Sequence, residues 1–265
     1  MTNELDKVES RFKHGSLFSG IGGFDLAAEW MGWENVFHCE INPFGQKVLK
    51  YYWPNAELYK DITTTDFNVW RGRINVLTGG FPCQDASQAK QDIQGKQGLQ
   101  GSRTGLFFDM CRAIREIKPK FVVAENVANL LKINNGKDFT TILSELAAMG
   151  YNAEWRICRA NEQGAPHKRE RMYLVAYPDS IRLKSGETFI PYVRQTVTQR
   201  AWSFIGTTVQ TIRGGPWESE PPIPCVDDGV SSKVVRESIK AFGNAVVPQI
   251  PYQIFKTIEQ YEALS

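Results

Sequence analysis

The sequence predicts an α/β protein: a doubly wound, mostly parallel sheet with a second, small irregular domain. Three observations carry this. Short apolar runs rich in β-branched residues, among them Ile74-Asn75-Val76-Leu77 and Phe121-Val122-Val123-Ala124, alternate with stretches of helical periodicity. Continuous apolar strands of that kind belong to parallel sheets covered on both faces. Glycines or a carboxylate follow the runs, and open α/β sheets bind ligands just outside the carboxyl ends of their strands. From Pro178 to about Lys233 the periodicity fades while prolines and glycines accumulate. The expected division is residues 1–177 plus 236–265 for the main domain and 178–235 for the small one.

The first strand is expected to end at Leu17-Phe18. Ser19-Gly20-Ile21-Gly22-Gly23 then forms a glycine-rich turn opening a helix, with Phe24, Ala27, Ala28 and Met31 on one face and Gly32 as its stop. Such a turn brings backbone N–H groups and a helix N-terminus close to a ligand. Asp25 stands where a dinucleotide fingerprint has its last glycine, and no Gly-Lys-Ser/Thr follows, so this is not a phosphate-cradling P-loop. Alone, the turn is equally compatible with a plain strand–helix connection. The second strand, Val36 to Cys39, ends at Glu40, which is placed to accept hydrogen bonds from ribose hydroxyls. Gly20, Gly22 and Glu40 together favour a nucleoside cofactor. Asn42-Pro43 reads as an N-cap followed by proline at the first helical position. Lys60-Asp61-Ile62 closes a third unit, where Asp61 suits either an adenine amino group or an ordinary turn.

After Ile74 to Leu77, Gly79-Gly80 lets the chain leave the sheet, and Pro82 stiffens the turn that presents Cys83. A buried structural cysteine is the usual fate of a free Cys, and a nucleophile is the alternative. Gln84 to Arg103 is a polar run, longer than a routine connection, in which Lys90, Lys96 and Arg103 suit phosphates; a lid or a solvated loop both fit. Gly105-Leu106 enters a helix running to about Ile117. The strand Phe121 to Ala124 ends in Glu125-Asn126-Val127, and a carboxylate at a buried strand end is a candidate for a raised pKa and proton work. Phe139, Ile142, Leu143 and Leu146 have helical spacing, and Tyr151 to Cys158 alternates like a strand. Arg169 and Arg171 lead into the apolar strand Met172 to Ala176, on the same face if the strand period of two holds there. Beyond it, the small domain mixes arginines with Tyr192, Trp202, Phe204 and Trp217, a composition compatible with nucleic acid. A final helical segment holds Gly243 to Pro248, and an amphipathic helix reaches Leu264.

Composition sets the bounds. With 265 residues, 42% hydrophobic and 23% charged, the chain can bury a sizeable core. A net charge of +2 means any nucleic-acid footprint is a local patch. No apolar run approaches a membrane span, and Met1 to His14 is unlike a signal peptide, so a soluble, cytoplasmic protein without a membrane partner is expected. The five cysteines (Cys39, Cys83, Cys111, Cys158, Cys225) are scattered and the three histidines form no ligand spacing, which argues against disulfides and against a metal.

Taken together, these motifs resemble the cytosine-5 DNA methyltransferases. Phe18-Ser19-Gly20-Ile21-Gly22-Gly23 is similar to their cofactor turn, Glu40 and Asp61-Ile62 to their ribose and adenine contacts. Gly80-Phe81-Pro82-Cys83-Gln84 with Ser87 is similar to their nucleophile loop, and Glu125-Asn126-Val127 to the segment of their catalytic glutamate. Arg169-x-Arg171 resembles their arginine motif, and Gly243-Asn244-Ala245-Val246 their last motif. The resemblance covers roughly residues 14–177 and 236–265, in the family's order. His167 stands where the family usually has Gln, and the segment between Ala176 and the last motif is short for a target-recognition domain.

The resemblance implies a Rossmann-like methyltransferase fold, S-adenosylmethionine as methyl donor and double-stranded DNA as substrate. It assigns Cys83, Glu125, Arg169 and Arg171 to catalysis. Phe18, Gly20, Gly22, Gly23, Glu40, Asp61, Ile62, Gly80, Pro82, Leu106, Asn244 and Val246 go to the cofactor, and Gln84, Ser87 and Arg103 to DNA. In that chemistry a Cys83 thiolate adds to carbon 6 of an extruded cytosine, Glu125 meets the ring nitrogen, Arg171 the ring oxygen, and Arg169 orients Glu125 or the site. The expected setting is a monomer, prokaryotic or phage-encoded, with a cognate restriction endonuclease as partner. A tRNA cytosine methyltransferase of the same family would keep every motif, and a non-catalytic DNA-binding relative would have no need for Cys83, Glu125 and Arg171 together. Adenine methyltransferases are disfavoured because their Asn/Asp-Pro-Pro-aromatic motif is absent, and a nicotinamide dehydrogenase because the third glycine is missing.

Overall fold

The computed structural model describes residues 12–82, 105–165, 167–184, 186–191 and 232–264. Seven strands form one sheet in the order β3-β2-β1-β4-β5-β7-β6. They are β1 (Lys13–Leu17), β2 (Glu34–Cys39), β3 (Glu57–Tyr59), β4 (Val76–Gly79), β5 (Phe121–Val127), β6 (Tyr151–Arg159) and β7 (Glu170–Pro178). Pairings among β1 to β5 are parallel, whereas β7 runs antiparallel to both β5 and β6. The helices are α1 (Gly23–Trp30), α2 (Pro43–Tyr52), α3 (Gly105–Ile117), α4 (Lys137–Ala148), α5 (Ser232–Asn244) and α6 (Gln249–Leu264). This is the doubly wound α/β architecture expected.

The central strands explain why both faces carry helices. Successive strand residues point to opposite faces, and here both sets are apolar. Leu77, Val122, Ala124 and Leu174 pack with Phe107, Met110 and Ile114 of α3 and with Phe139 and Ile142 of α4. Val76, Val123, Tyr173 and Val175 pack on the other face with Phe24 and Ala27 of α1 and Ile254, Phe255 and Ile258 of α6. At α2 the expected cap is present: the Asn42 side chain accepts the Phe44 N–H at 2.8 Å, and Pro43 opens the helix.

Two boundaries differ from expectation. Strand β1 stops at Leu17, because Phe18 has φ +51° and cannot continue a ladder. The last motif is not one helical segment: α5 stops at Asn244, and Ala245 to Pro248 lie between α5 and α6. Past residue 178 the described chain continues to pack on the sheet. Ile181, Phe189 and Ile190 are buried in the α1/α6-side core. Ile190 donates its N–H to Glu154 at 2.8 Å and accepts from Arg156 at 2.7 Å. Residues 192–231, the bulk of the expected small domain, lie outside the described residues.

Candidate active site

Strands β1, β4 and β5 lie in register, Leu17 beside Gly79 and Gly79 beside Ala124. The segments that follow them therefore leave the sheet at one edge. Strand β7 begins at that same edge because it is antiparallel, with Arg171 opposite Val127 and Tyr173 opposite Glu125. Arg171 Nε donates to Glu125 Oε1 at 2.9 Å. Glu125 Oε2 faces Gly80, where an added methyl would stand only 3.4 Å away. Burial pushes the Glu125 carboxyl above its ordinary pKa, against the opposing pull of Arg171 and Arg169.

Asn126 connects this carboxylate to the turn that leads to Cys83. Its Nδ2 donates to the Phe81 carbonyl at 3.0 Å, while its Oδ1 accepts the Val127 N–H at 2.8 Å. Phe81 is itself buried against Phe107. The chain is thus pinned beside Glu125 just before Cys83. Cys83, Gln84, Ser87 and Arg103 themselves lie outside the described residues. Three other cysteines are described, and burial raises each thiol, Cys39 and Cys111 to about 12 and Cys158 to about 11, which leaves them poor nucleophiles.

Arg169 does not share a strand face with Arg171. It precedes β7 with φ +32° and donates to the carbonyls of Gly243 and Ala245, both at 2.6 Å. It anchors the last motif, with no hydrogen bond to Glu125. From that anchor the chain reaches Val246, whose carbonyl would stand 2.6 Å from a methyl placed on Gly23. Gly23 is therefore required by packing. Gly22, with φ +87°, is closed over by Trp53, and only Gly20, with φ +59°, has open space beside it.

The acidic candidates are held by their neighbours. Glu40 accepts the Gly20 N–H at 2.6 Å and the Asn42 N–H at 2.7 Å, one on each oxygen. Asp61 receives the Thr63 hydroxyl and N–H on Oδ1, which hold its carboxyl below the usual range. Ile62 is buried, and Leu106 packs against the same core. Arg112 of α3 ties the Asp61 turn down, donating to the carbonyls of Ile62 and Thr65. Arg112 was not among the expected residues, since its spacing to Glu116 reads as an ordinary helical ion pair. Ser16 was also missed, and Asn126, Ser19 and Asp25 were named without the contacts they make. A carboxylate on the apolar face of α1, between Phe24 and Ala27, was the available signal for the last.

A strand order reversing at β1/β4, with β7 inserted antiparallel and a glycine turn at the reversal, defines a Rossmann-like methyltransferase fold. The chain belongs to the C-5 cytosine-specific DNA methylase family, whose model matches residues 12–218. It is 38% identical over 162 residues to the type II methyltransferase M.Eco47II of Escherichia coli, covering 60% of this chain and 38% of that protein. It is 32% identical over 192 residues to M.HhaI of Haemophilus parahaemolyticus, covering 72% and 57%. The chain thus spans between 38% and 57% of the length of these two relatives. Among solved structures, the fold is similar to that of S. pombe Dnmt2 methyltransferase, with TM-score 0.52 and 20% identity over 66% of this chain and 53% of that one. It is also similar to a candidate DNA modification methyltransferase of an E. coli prophage, with TM-score 0.56 and 22% identity over 69% and 51%.

Proposed function

We propose that the protein transfers a methyl group from S-adenosylmethionine to carbon 5 of a cytosine flipped out of double-stranded DNA. The observation that carries this is the buried Glu125–Arg171 pair set against Gly80 and tied through Asn126 to the chain entering Cys83.

The residues present fit the cofactor. Glu40 keeps lone pairs for ribose hydroxyls, since each oxygen accepts one backbone N–H. Asp61 keeps Oδ2 for an amino group, Gly20 leaves open space, Val246 closes the turn at Gly23, and Asn244 stands two residues before it. When bound, S-adenosylmethionine supplies a methyl activated by its sulfonium. No group of His, Cys, Asp and Glu among the described residues has the arrangement of a metal site, and no helix among them is long and apolar enough to cross a membrane.

Carbon 5 of cytosine is a weak nucleophile. The Cys83 thiolate forms a bond to carbon 6, and the ring electrons move toward carbon 5. Glu125 Oε1 is paired with Arg171, so Oε2 is the oxygen left to meet the ring nitrogen. Arg171 Nη2 has no hydrogen-bond partner among the described residues and is free for the ring oxygen. After carbon 5 is methylated, a base removes its proton, the electron pair returns to the ring, and the bond to Cys83 breaks. Extruding the base costs roughly a few kcal/mol. Gln84, Ser87 and Arg103 face DNA in this reading. DNA as the substrate rests on the family's description, and a cognate restriction endonuclease is the partner this reading adds.

DNA containing 5-fluorocytosine, incubated with the protein and cofactor, is expected to yield a covalent adduct that Cys83→Ser abolishes. Tritium transfer to random-sequence DNA but not to tRNA is expected as well. Transfer to tRNA alone, or an adduct surviving in Cys83→Ser, would overturn the proposal.

A further inference from the structure

Beneath the glycine turn lies a chain of buried polar groups that the reaction does not use. Ser16, Asp25 and His38 are almost completely inaccessible, and Ser19 is buried beside them. Asp25 Oδ1 lies 2.7 Å from Ser16 Oγ and 2.8 Å from His38 Nδ1, and Ser16 Oγ lies 2.6 Å from Ser19 Oγ. Burial pushes the Asp25 carboxyl up, but His38, His14 and the Ser16 hydrogen bond together hold it below its usual range. It is a carboxylate, which only accepts, so Ser16 directs its single hydrogen there. The 2.6 Å contact then uses the hydrogen of Ser19, leaving the Ser19 oxygen to accept the Cys39 N–H at 3.2 Å. The donors run one way: Cys39 N–H to Ser19, Ser19 to Ser16, Ser16 to Asp25. Without that direction, Ser19 has other acceptors to turn to, the carbonyls of Ser16 at 3.1 Å and of Cys39 at 3.4 Å.

The far end of this relay is the residue before Glu40, and Glu40 accepts the N–H of Gly20, the residue after Ser19. We propose that Asp25 is a positioning residue which, through Ser16 and Ser19, locks the glycine turn to the Cys39-Glu40 strand end and so holds the Glu40 carboxylate for the ribose hydroxyls of the nucleoside cofactor. This rests on the cofactor reading above. It adds a set of residues that touch no ligand.

The test measures binding of S-adenosylhomocysteine and of its 2′,3′-dideoxy analogue to the full chain, with thermal melting in parallel. The wild type is expected to prefer the compound carrying the hydroxyls. Ser16→Ala and Ser19→Ala, each tested separately so that one misfolded variant leaves the other informative, are expected to weaken that compound about tenfold and the dideoxy analogue little. Asp25→Asn retains one acceptor oxygen and is expected to fall between them. Equal weakening of both compounds, or none, in the folded variants would overturn the relay. A wild-type protein binding neither compound would overturn the cofactor reading itself, a distinguishable failure.

Discussion

Removing Arg171 should destabilise the protein in a way that depends on pH, and the dependence should vanish with Glu125. Cutting one partner from a buried ion pair costs about 3–5 kcal/mol when the remaining charge stays buried. Here the Arg171 side chain is 25% exposed and that of Glu125 12%. Partial screening therefore brings the expected cost of Arg171→Ala down to about 2 kcal/mol near neutral pH and above. Glu125 also has an escape, because it can take up a proton. Its folded pKa already lies above the ordinary value of 4.5, and loss of the guanidinium raises it further. The sign follows. A carboxyl with a raised folded pKa contributes stability fully present below its unfolded pKa and lost as pH rises through the folded one, by up to about 1.4 kcal/mol per pH unit. The window is wider in Arg171→Ala, so its deficit should be small near the ordinary value of 4.5 and grow as pH rises above it. Urea denaturation at several pH values, in the wild-type and Glu125→Gln backgrounds, reads this directly. A deficit independent of pH, or one that keeps its slope with Gln at 125, would refute the reasoning.

Asn126→Ala leaves the Phe81 carbonyl and the Val127 N–H without their partner, which should cost about 1–3 kcal/mol and slow adduct formation with 5-fluorocytosine DNA. An adduct rate equal to wild type would separate Asn126 from the nucleophile loop. Gly23→Ala drives a methyl into the Val246 carbonyl, so the segment Ala245 to Val247 should lose amide protection in hydrogen exchange while β4 and β5 keep theirs. His14 is buried with its Nδ1 on the Asn35 side-chain oxygen and its Nε2 on the Thr78 hydroxyl, and burial lowers its pKa below 6.5. Since the unfolded chain takes up that proton first, stability should fall as pH drops below 6.5. A His14→Gln variant with an unchanged acid limb would count against this.

Much of the frame was legible because two-sided burial writes itself into residue choice. Phe121 to Ala124 has no polar member, and no position on such a strand faces water. The glycine turn, Glu40 and Glu125 could be placed because each follows a strand end visible in the apolar pattern. What failed had physical reasons. Arg169 and Arg171 sit two apart, but the period of two applies only inside a strand, and Arg169 lies outside it at positive φ. Asp25 read as an absent glycine because its partners, His38 and Ser16, come from two other elements and meet it only in three dimensions. The packing of Phe189 on Phe121, Tyr177 and Tyr261 was hidden because its partners lie far from it in sequence, and proline and glycine content says nothing about which apolar residue finds a core.

The reversed direction of β7 has a consequence for how such a site can change. Parallel strands deliver side chains to this rim where they finish, so whatever follows them must serve the reaction. An inverted strand delivers them where it starts, and its upstream connection from Ala160 to Lys168 can vary in length without disturbing any residue the other strands supply. Variation there would re-aim Arg171 against a fixed carboxyl and, through Arg169, shift the Gly243 to Ala245 segment.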